Sequence, residues 1–413
     1  MTQPPRNERD RSGFNRLWAA ESLGFFGVQV ALFVLPLVAV FTQNATPAQL
    51  GILGAAFFLP NLVFGLIAGA RADRHDRRSM LLQAELLSAI CVLAVPIAAA
   101  LDLLSVELLY GVSFLLGSAT VHFNAASFAI LPGLVGRDDL VTANSRLQLS
   151  VSTSRVAGPA LGGVLVQVAT APVALVLSTV SFVLCGLSLL VVPPVHQEPP
   201  ASRSQPIWRE IASGLRFVGS RRAIAGTATY TAASGGFAAA SFAQLPLYAS
   251  DLSIGPSSLG LVVACAGAGG IVGSIISGSM PRWLRLETTI AISALAIALA
   301  QWGIPFAGIL PELALPVLSA SRFIYGAATV VNAMHVISLQ QGQTPDELQG
   351  RMYATVRFVI NSGAILGTLT GGIVGQVFGL PQTMVLSALG TTAAVLWLTF
   401  AGVKSARVEP DRA

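Results

Sequence analysis

Glu21, Gln29, His122, Asn124, Arg155, Arg322, Asn332, His335 and Arg357 are polar or charged residues set inside otherwise apolar stretches of this sequence. A carboxyl such as Glu21 can take and release a proton wherever water reaches it. His122 and His335 can do so near neutral pH, while Gln29, Asn124 and Asn332 can hold a solute by hydrogen bonds. The three arginines are fixed cations, and a cation in an apolar run needs a partner or a water-filled cavity. Other chemistries lack their residues. The only lysine, Lys404, follows valine in AGVKS, so no phosphate-gripping Gly-Lys-Ser/Thr exists and ATP hydrolysis is excluded. None of the four histidines has HExxH spacing, and His75 and His196 sit in loops beside charge and proline. Cys91, Cys185 and Cys265 fall in three separate apolar runs, which argues against a disulfide framework and against a metal site. No enzyme, cofactor or metal is expected, and no appended signalling domain supports a sensor.

The elements that position these residues follow from composition. Of 413 residues, 54% are hydrophobic and 10% charged. A soluble chain carries roughly a quarter charged residues. The apolar residues come in blocks long enough for a helix to cross a bilayer. The first block starts at Leu17 behind an arginine-rich tail and lacks a small-residue cleavage site, so it reads as a retained span. The net charge of +5 does not imply nucleic acid, because no arginine cluster is interleaved with aromatics.

Apolar runs and turn residues predict twelve spans, at 17–42, 48–70, 80–101, 106–133, 145–168, 172–194, 223–249, 256–280, 288–307, 313–340, 351–378 and 381–403. With the N-terminus in the cytoplasm, all but three of the 24 Lys and Arg residues fall on the inner side, Arg137 and Arg146 of the 4–5 loop among them. The exceptions are Arg155, Arg322 and Arg357, within spans. The outer loops carry only Asp102, Glu107, Asp251 and Glu312. Positive charge retained inside is the expected topology signal, and it places both termini in the cytoplasm of a multi-pass inner (cytoplasmic) membrane protein.

The two halves match at an offset of 209 residues: Pro47, Leu50 and Gly51 recur as Pro256, Leu259 and Gly260, and Gly158, Gly162 and Gly163 as Gly367, Gly371 and Gly372. This predicts two pseudo-symmetric six-helix bundles, residues 17–194 and 223–403, between a 1–16 tail and a 404–413 tail, both cytoplasmic. Residues 195–222 form a cytoplasmic linker in which Ile207, Ile211, Leu215 and Val218 share one face of an amphipathic helix on the membrane surface. Parallel repeats of this kind place a solute site between halves that rock.

Gly69-Ala-Arg-Ala-Asp73-Arg74-His-Asp-Arg77-Arg78 resembles the 2–3 loop signature of the major facilitator superfamily, with Asp76 where many members have glycine. Gly158-Pro159-Ala-Leu-Gly162-Gly163 resembles the span-five motif of its exporter and antiporter branches. WREIASGLRFV, VGRDDLVTANS and QTPDELQGRM are similar to the bacterial branch of macrolide-efflux and enterobactin-export proteins. The resemblance spans nearly the whole chain. It implies an all-α membrane fold with twelve transmembrane helices.

The resemblance also implies roles. Gly69, Asp73, Arg74, Arg77 and Arg78 would form a conformational latch, with Asp73 meeting the N-terminus of span eleven near Gly350 and Arg351. Gly65 and Gly69 would let spans pack closely and slide. Thr344-Pro345-Asp346-Glu347 reads as a capping box, with a short helix leading into span eleven. Gly158, Pro159, Gly162 and Gly163 would allow span five to bend and pack closely. Spans one, four, seven and ten would surround the cavity, which favours Glu21 as the proton carrier. Glu85 lies on a peripheral span and reads as structural. Arg322-x-x-x-Gly326 looks like the family's proton-coupling motif, but it stands in the opposite half. The expectation is a monomeric, proton-coupled antiporter, in contact with membrane lipid, that exports small amphiphilic compounds such as drugs or secreted metabolites. The alternatives are an importer on the same fold or a non-transporting sensor.

Overall fold

The computed structural model describes residues 6–135, 139–192, 215–279 and 285–400, and among them all regular structure is helical. Lipid cannot hydrogen-bond a bare backbone, so a chain this apolar closes its own amides in helices. Twelve long helices follow in order: α1 Arg6–Gln43, α2 Pro47–Arg74, α3 Arg77–Ala100, α4 Val106–Leu134, α5 Leu140–Val168, α6 Ala171–Leu189, α7 Arg222–Asp251, α8 Pro256–Ser279, α9 Leu286–Ile309, α10 Ala314–Gly342, α11 Asp346–Phe378 and α12 Leu380–Phe400. Ten are long and apolar enough to cross a membrane. The other two, α5 and α7, are 29 and 30 residues long but rich in Ala, Gly, Ser and Thr. Such residues suit a helix facing other helices.

The outside of the fold is apolar. On α3, Leu86, Ile90, Leu93 and Ile97 are exposed at helical spacing, whereas Leu81, Ala84, Glu85, Ser88 and Val92 are buried. A soluble helix would show the reverse pattern.

The chain forms two compact units: Met1–Ala45 with Ala56–Ser202 and Gly255–Ala264, and Thr46–Ala55 with Arg203–Ile254 and Cys265–Ala413. Each therefore includes the first turns of one helix from the other sequence half. In the first unit α1 packs on α5 and α6, and α3 packs on α4 and α6. In the second, α7 packs on α11 and α12, and α9 on α10 and α12. These are the same pairs shifted by six helices. Backbone detail repeats as well: Asn44 and Ser253, 209 residues apart, both adopt the left-handed conformation, at φ 49° and 57°.

Several boundaries differ from expectation. Arg146 lies inside α5 and not in a loop. Its guanidinium stacks 4.4 Å above the Trp18 ring and 5.2 Å from that of Phe14, and it donates to Asn15 Oδ1 at 2.9 Å. Of the expected capping box, the Glu347 side chain lies outside the described residues, and Thr344 is turned to the preceding helix. Its hydroxyl donates back to the Gln340 carbonyl at 2.6 Å, and α11 is one uninterrupted helix, so no separate short helix precedes it. In the linker, Ile207 and Ile211 lie outside the described residues. Val218 is buried with Ile224, Ala228, Met352 and Val356, while Leu215 is 49% exposed. Val218 thus packs on protein instead of lying on a membrane surface.

The arginines after α2 tie helix ends together. Arg77 donates to the Ala72 carbonyl at 3.2 Å and the Ala129 carbonyl at 2.7 Å, near the ends of α2 and α4. Arg78 donates to the Leu189 carbonyl at 3.0 Å and to that of Leu190, at the end of α6. Arg16 donates to the Val191 carbonyl at 2.9 Å. Carbonyls at a helix C-terminus lack intrahelical partners and carry partial negative charge, so cations settle there. Asp76 caps the next helix: its Oδ2 accepts from the Ser79 amide at 3.0 Å.

Candidate functional site

The first unit contains a partly open cleft of about 190 Å³. Its walls are Gly24, Phe25, Val28 and Gln29 of α1, Glu85 and Ser88 of α3, Thr120, Phe123 and Asn124 of α4, and Val151 of α5. Phe25 and Phe123 meet edge to face, with ring centroids 6.0 Å apart. The Ser88 and Thr120 hydroxyls donate to carbonyls of their own helices, at 2.9 and 2.8 Å, and keep only acceptor capacity. The Gln29 and Asn124 side chains make no hydrogen bond with the described residues, which leaves both amides for a bound solute. Gly158 places α5 tightly behind Gln29: a methyl built on it would sit 2.7 Å from Gln29 Cβ. Two aromatics, two valines, two amides and a carboxyl make a mixed surface suited to an amphiphile.

Sequence reasoning missed Glu85. It lines the cleft, although its helix was expected to be peripheral. Gly24 makes the room, since a methyl there would lie 2.8 Å from Glu85 Oε1 and 3.3 Å from Cys185 Sγ. The usable signal was a glutamate in an apolar run opposite a glycine one turn after Glu21. Glu21 itself is fully buried next to this wall, and among the described residues neither of its oxygens has a hydrogen-bond partner.

The remaining candidates separate. His122 Nδ1 lies 2.8 Å from the Ser118 carbonyl, and His335 Nδ1 is 2.8 Å from that of Val331, so each ring is held by its own helix. Asn332 is buried and donates to the Ile290 carbonyl at 3.1 Å and to Ser293 Oγ at 2.9 Å. Arg155 is exposed on α5, one turn beyond Val151 on the same face. Arg357 is exposed, 6.0 Å from the Tyr353 ring centroid. Arg322 is 3% exposed, donates to Gln301 Oε1 at 2.9 Å and lies 4.8 Å from the Tyr325 ring centroid. Gln301 in turn donates to Ser241 Oγ at 2.5 Å, so this cation ties α10 through α9 to α7 and lines no described cavity.

Of the latch residues, the side chains of Asp73 and Arg74 lie outside the described residues. Gly65, Gly69 and Gly350 have open space where a methyl would go, so the close packing expected at Gly65 and Gly69 is not seen. In the span-five motif the glycines do pack closely. A methyl on Gly162 would meet Val34 and Phe33 at 3.1 and 3.2 Å, and one on Gly163 would meet the Pro256 carbonyl at 2.5 Å. The helix continues unbroken through Pro159.

A family model described as transmembrane secretion effector matches residues 9–410. The enterobactin exporter EntS of Citrobacter koseri is 28% identical over 85% of this chain and 82% of its own. The multidrug efflux pump Tap of Mycolicibacterium fortuitum is 26% identical over 85% of this chain and 86% of its own. Among solved structures, a variant of the nucleoside transporter NupG superposes with a TM-score of 0.77 at 12% identity, over 94% of this chain and 99% of the other. That likeness bears on the fold alone.

Proposed function

Because the chain belongs to the transmembrane secretion effector family of the major facilitator superfamily, we propose that it exports small amphiphilic compounds, drugs or secreted metabolites, in exchange for protons. The observation that carries this reading is the cleft, where free amides and a carboxyl stand among aromatic and aliphatic walls. Its nature as a transporter and not an enzyme comes from the family. Export is supported by relatives named as an exporter and an efflux pump.

In this reading two six-helix halves, residues 17–194 and 223–403, rock about the substrate to open it to each side in turn. Both termini face the cytoplasm of the inner membrane, where the arginine-rich connections keep them. One monomer suffices for this cycle. The end of α2 and the loop after it work as a latch in which Asp73 docks on the N-terminus of α11 near Gly350 and Arg351, an anion on exposed amides. Asp73→Asn is expected to insert normally and to transport far more slowly; unchanged efflux would remove the latch role.

The primary test is a panel of toxic compounds given to cells with and without the gene, with and without an uncoupler. Lower accumulation of some compounds in expressing cells, abolished by the uncoupler, is the expected result. Equal accumulation across the panel would overturn drug export, and higher accumulation in expressing cells would mean import.

A further inference from the structure

We propose that Glu21 and Glu85 hold one exchangeable proton between them, with Glu85 the member that trades it with the cleft. The inference rests on the proton-exchange reading above and names the residues of that site, including one on a helix outside the expected cavity set.

Four observations carry it. Glu21 is 0% exposed and Glu85 4% exposed. Both Glu21 oxygens and Oε2 of Glu85 lack a hydrogen-bond partner. Glu85 Oε1 lies 2.8 Å from where a methyl on Gly24 would sit, and Glu21 is one turn before Gly24 on the same helix, so the two side chains stand at adjacent turns of one contact. Glu85 lines the cleft while Glu21, one turn before Gly24, does not. A buried polar atom without a partner costs free energy, and three such carboxyl oxygens at one place mark a missing ligand.

The surroundings leave the proton as that ligand. From α6, the Cys185 thiol faces Glu85; from α4, the Ser127 hydroxyl faces Glu21. No cation faces the pair among the described residues. Arg16, Arg77 and Arg78 are bound to carbonyls at helix ends, Arg146 on α5 is bound to Asn15 and stacked on Trp18, and Arg155 on α5 is exposed. His122 on α4 is held by the Ser118 carbonyl. Two bare carboxylates here would be buried like charges with no cation facing them among the described residues. One proton halves the charge and removes the repulsion. Transfer within the pair breaks one O–H bond and forms another, and the pair keeps a net charge of −1. Arrival of a proton at Glu85 from the cleft makes the pair neutral; departure restores it. This is coupling by a pair, so its titration belongs to both residues and to neither alone.

The test uses purified full-length protein in liposomes and needs no substrate for its first readout. Infrared pH-difference spectra record protonated carboxyl for wild type, Glu21→Gln, Glu85→Gln and the double variant, with Glu107→Gln as control. The expected result is a carboxyl band in wild type whose midpoint moves by about one pH unit or more in either single variant, as strongly interacting sites require. The band is lost in the double variant and unchanged in the control. A midpoint in Glu21→Gln or in Glu85→Gln that stays where the wild-type midpoint lies overturns the pair. The second readout is efflux of a compound that the cell panel identifies, driven by an imposed pH gradient, beside its gradient-free exchange. Each single variant is expected to lose gradient-driven efflux at least tenfold while keeping exchange, and the double variant to be no worse. Wild-type efflux indifferent to the pH gradient would sink proton exchange itself. Gradient-driven efflux that survives in Glu85→Gln but fails in Glu21→Gln would leave antiport standing and overturn the shared site.

Discussion

Gly163 on α5 and Gly260 on α8 are packed so closely that a methyl on either would lie 3.1 Å from the Cα of the other. Gly372 on α11 and Gly51 on α2, each 209 residues from one of that pair, repeat the contact at 3.0 Å. The carbonyls beside them correspond too: a methyl on Gly163 would lie 2.5 Å from the Pro256 carbonyl oxygen, and one on Gly372 would lie 2.8 Å from that of Pro47. Two helix crossings thus share one backbone solution, and only glycine fits it. Gly163→Val and Gly372→Val are expected to destabilise the detergent-purified protein by about 1–3 kcal/mol, the usual cost of overpacking. Gly65→Ala, with open space around it, should be neutral or stabilising. Thermal melting of the two valine variants beside Gly65→Ala checks this; equal losses at all three sites would refute a specific role for the crossings.

Arg322 gives a prediction that separates structure from transport. Its partners are neutral, namely Gln301 and the Tyr325 ring, and its Nε has no hydrogen-bond partner. A lysine there keeps the charge but loses the planar stacking and the fork. A methionine removes a buried cation at similar length, a change that is often neutral. Arg322→Lys is therefore expected to melt lower than Arg322→Met, with efflux per folded molecule retained by both. The reverse order, or loss of efflux in a stable Arg322→Met, would restore a coupling role to this residue.

The contrast between Gly163 and Glu85 shows what the sequence could and could not reveal. The spans follow from apolar runs because lipid leaves the backbone only one solution, and the crossing glycines follow from the 209-residue offset. Helix ends were harder. Arg146 was assigned to a loop because it is charged, yet aromatic faces at Phe14 and Trp18 receive it within a helix. Thr344 matched a capping pattern, but its hydroxyl found a carbonyl one turn back first. Glu85 was misjudged because its role depends on how α3 is rotated against α1, and on a side chain that Gly24 does not have. Neither is periodic, so neither leaves a pattern.

The 2–3 loop makes its own prediction. Arg78 binds the final carbonyls of α6, and Asp76 caps α3. Arg78→Gln is expected to cost about 1–2 kcal/mol, as for a cation at a partly buried helix C-terminus. Asp76→Ala is expected to cost about 1 kcal/mol, but Asp76→Gly only a few tenths, because glycine tolerates the cap conformation. Melting temperatures test all three. A loss of efflux in Asp76→Gly without any change in stability would show that this acid works in the latch and not at the helix end.

The two free amides of the cleft and the committed amide of Asn332 should respond differently to the same kind of change. Gln29 and Asn124 face the empty space from α1 and α4 with no partner among the described residues, so their replacement removes hydrogen bonds only when a compound is bound. One such bond contributes about 0.5–1.5 kcal/mol. Gln29→Leu and Asn124→Leu are therefore expected to raise the half-saturating concentration of an exported compound roughly two- to tenfold, with melting temperature unchanged. Asn332 donates to the Ile290 carbonyl and Ser293 Oγ inside the second unit. Asn332→Leu leaves those acceptors bare, so stability should fall while the half-saturating concentration holds. Efflux kinetics and thermal melts on the three variants decide the matter. Should Asn332→Leu alter saturation while the cleft variants alter only stability, the solute would have to sit among the helices of the second unit instead.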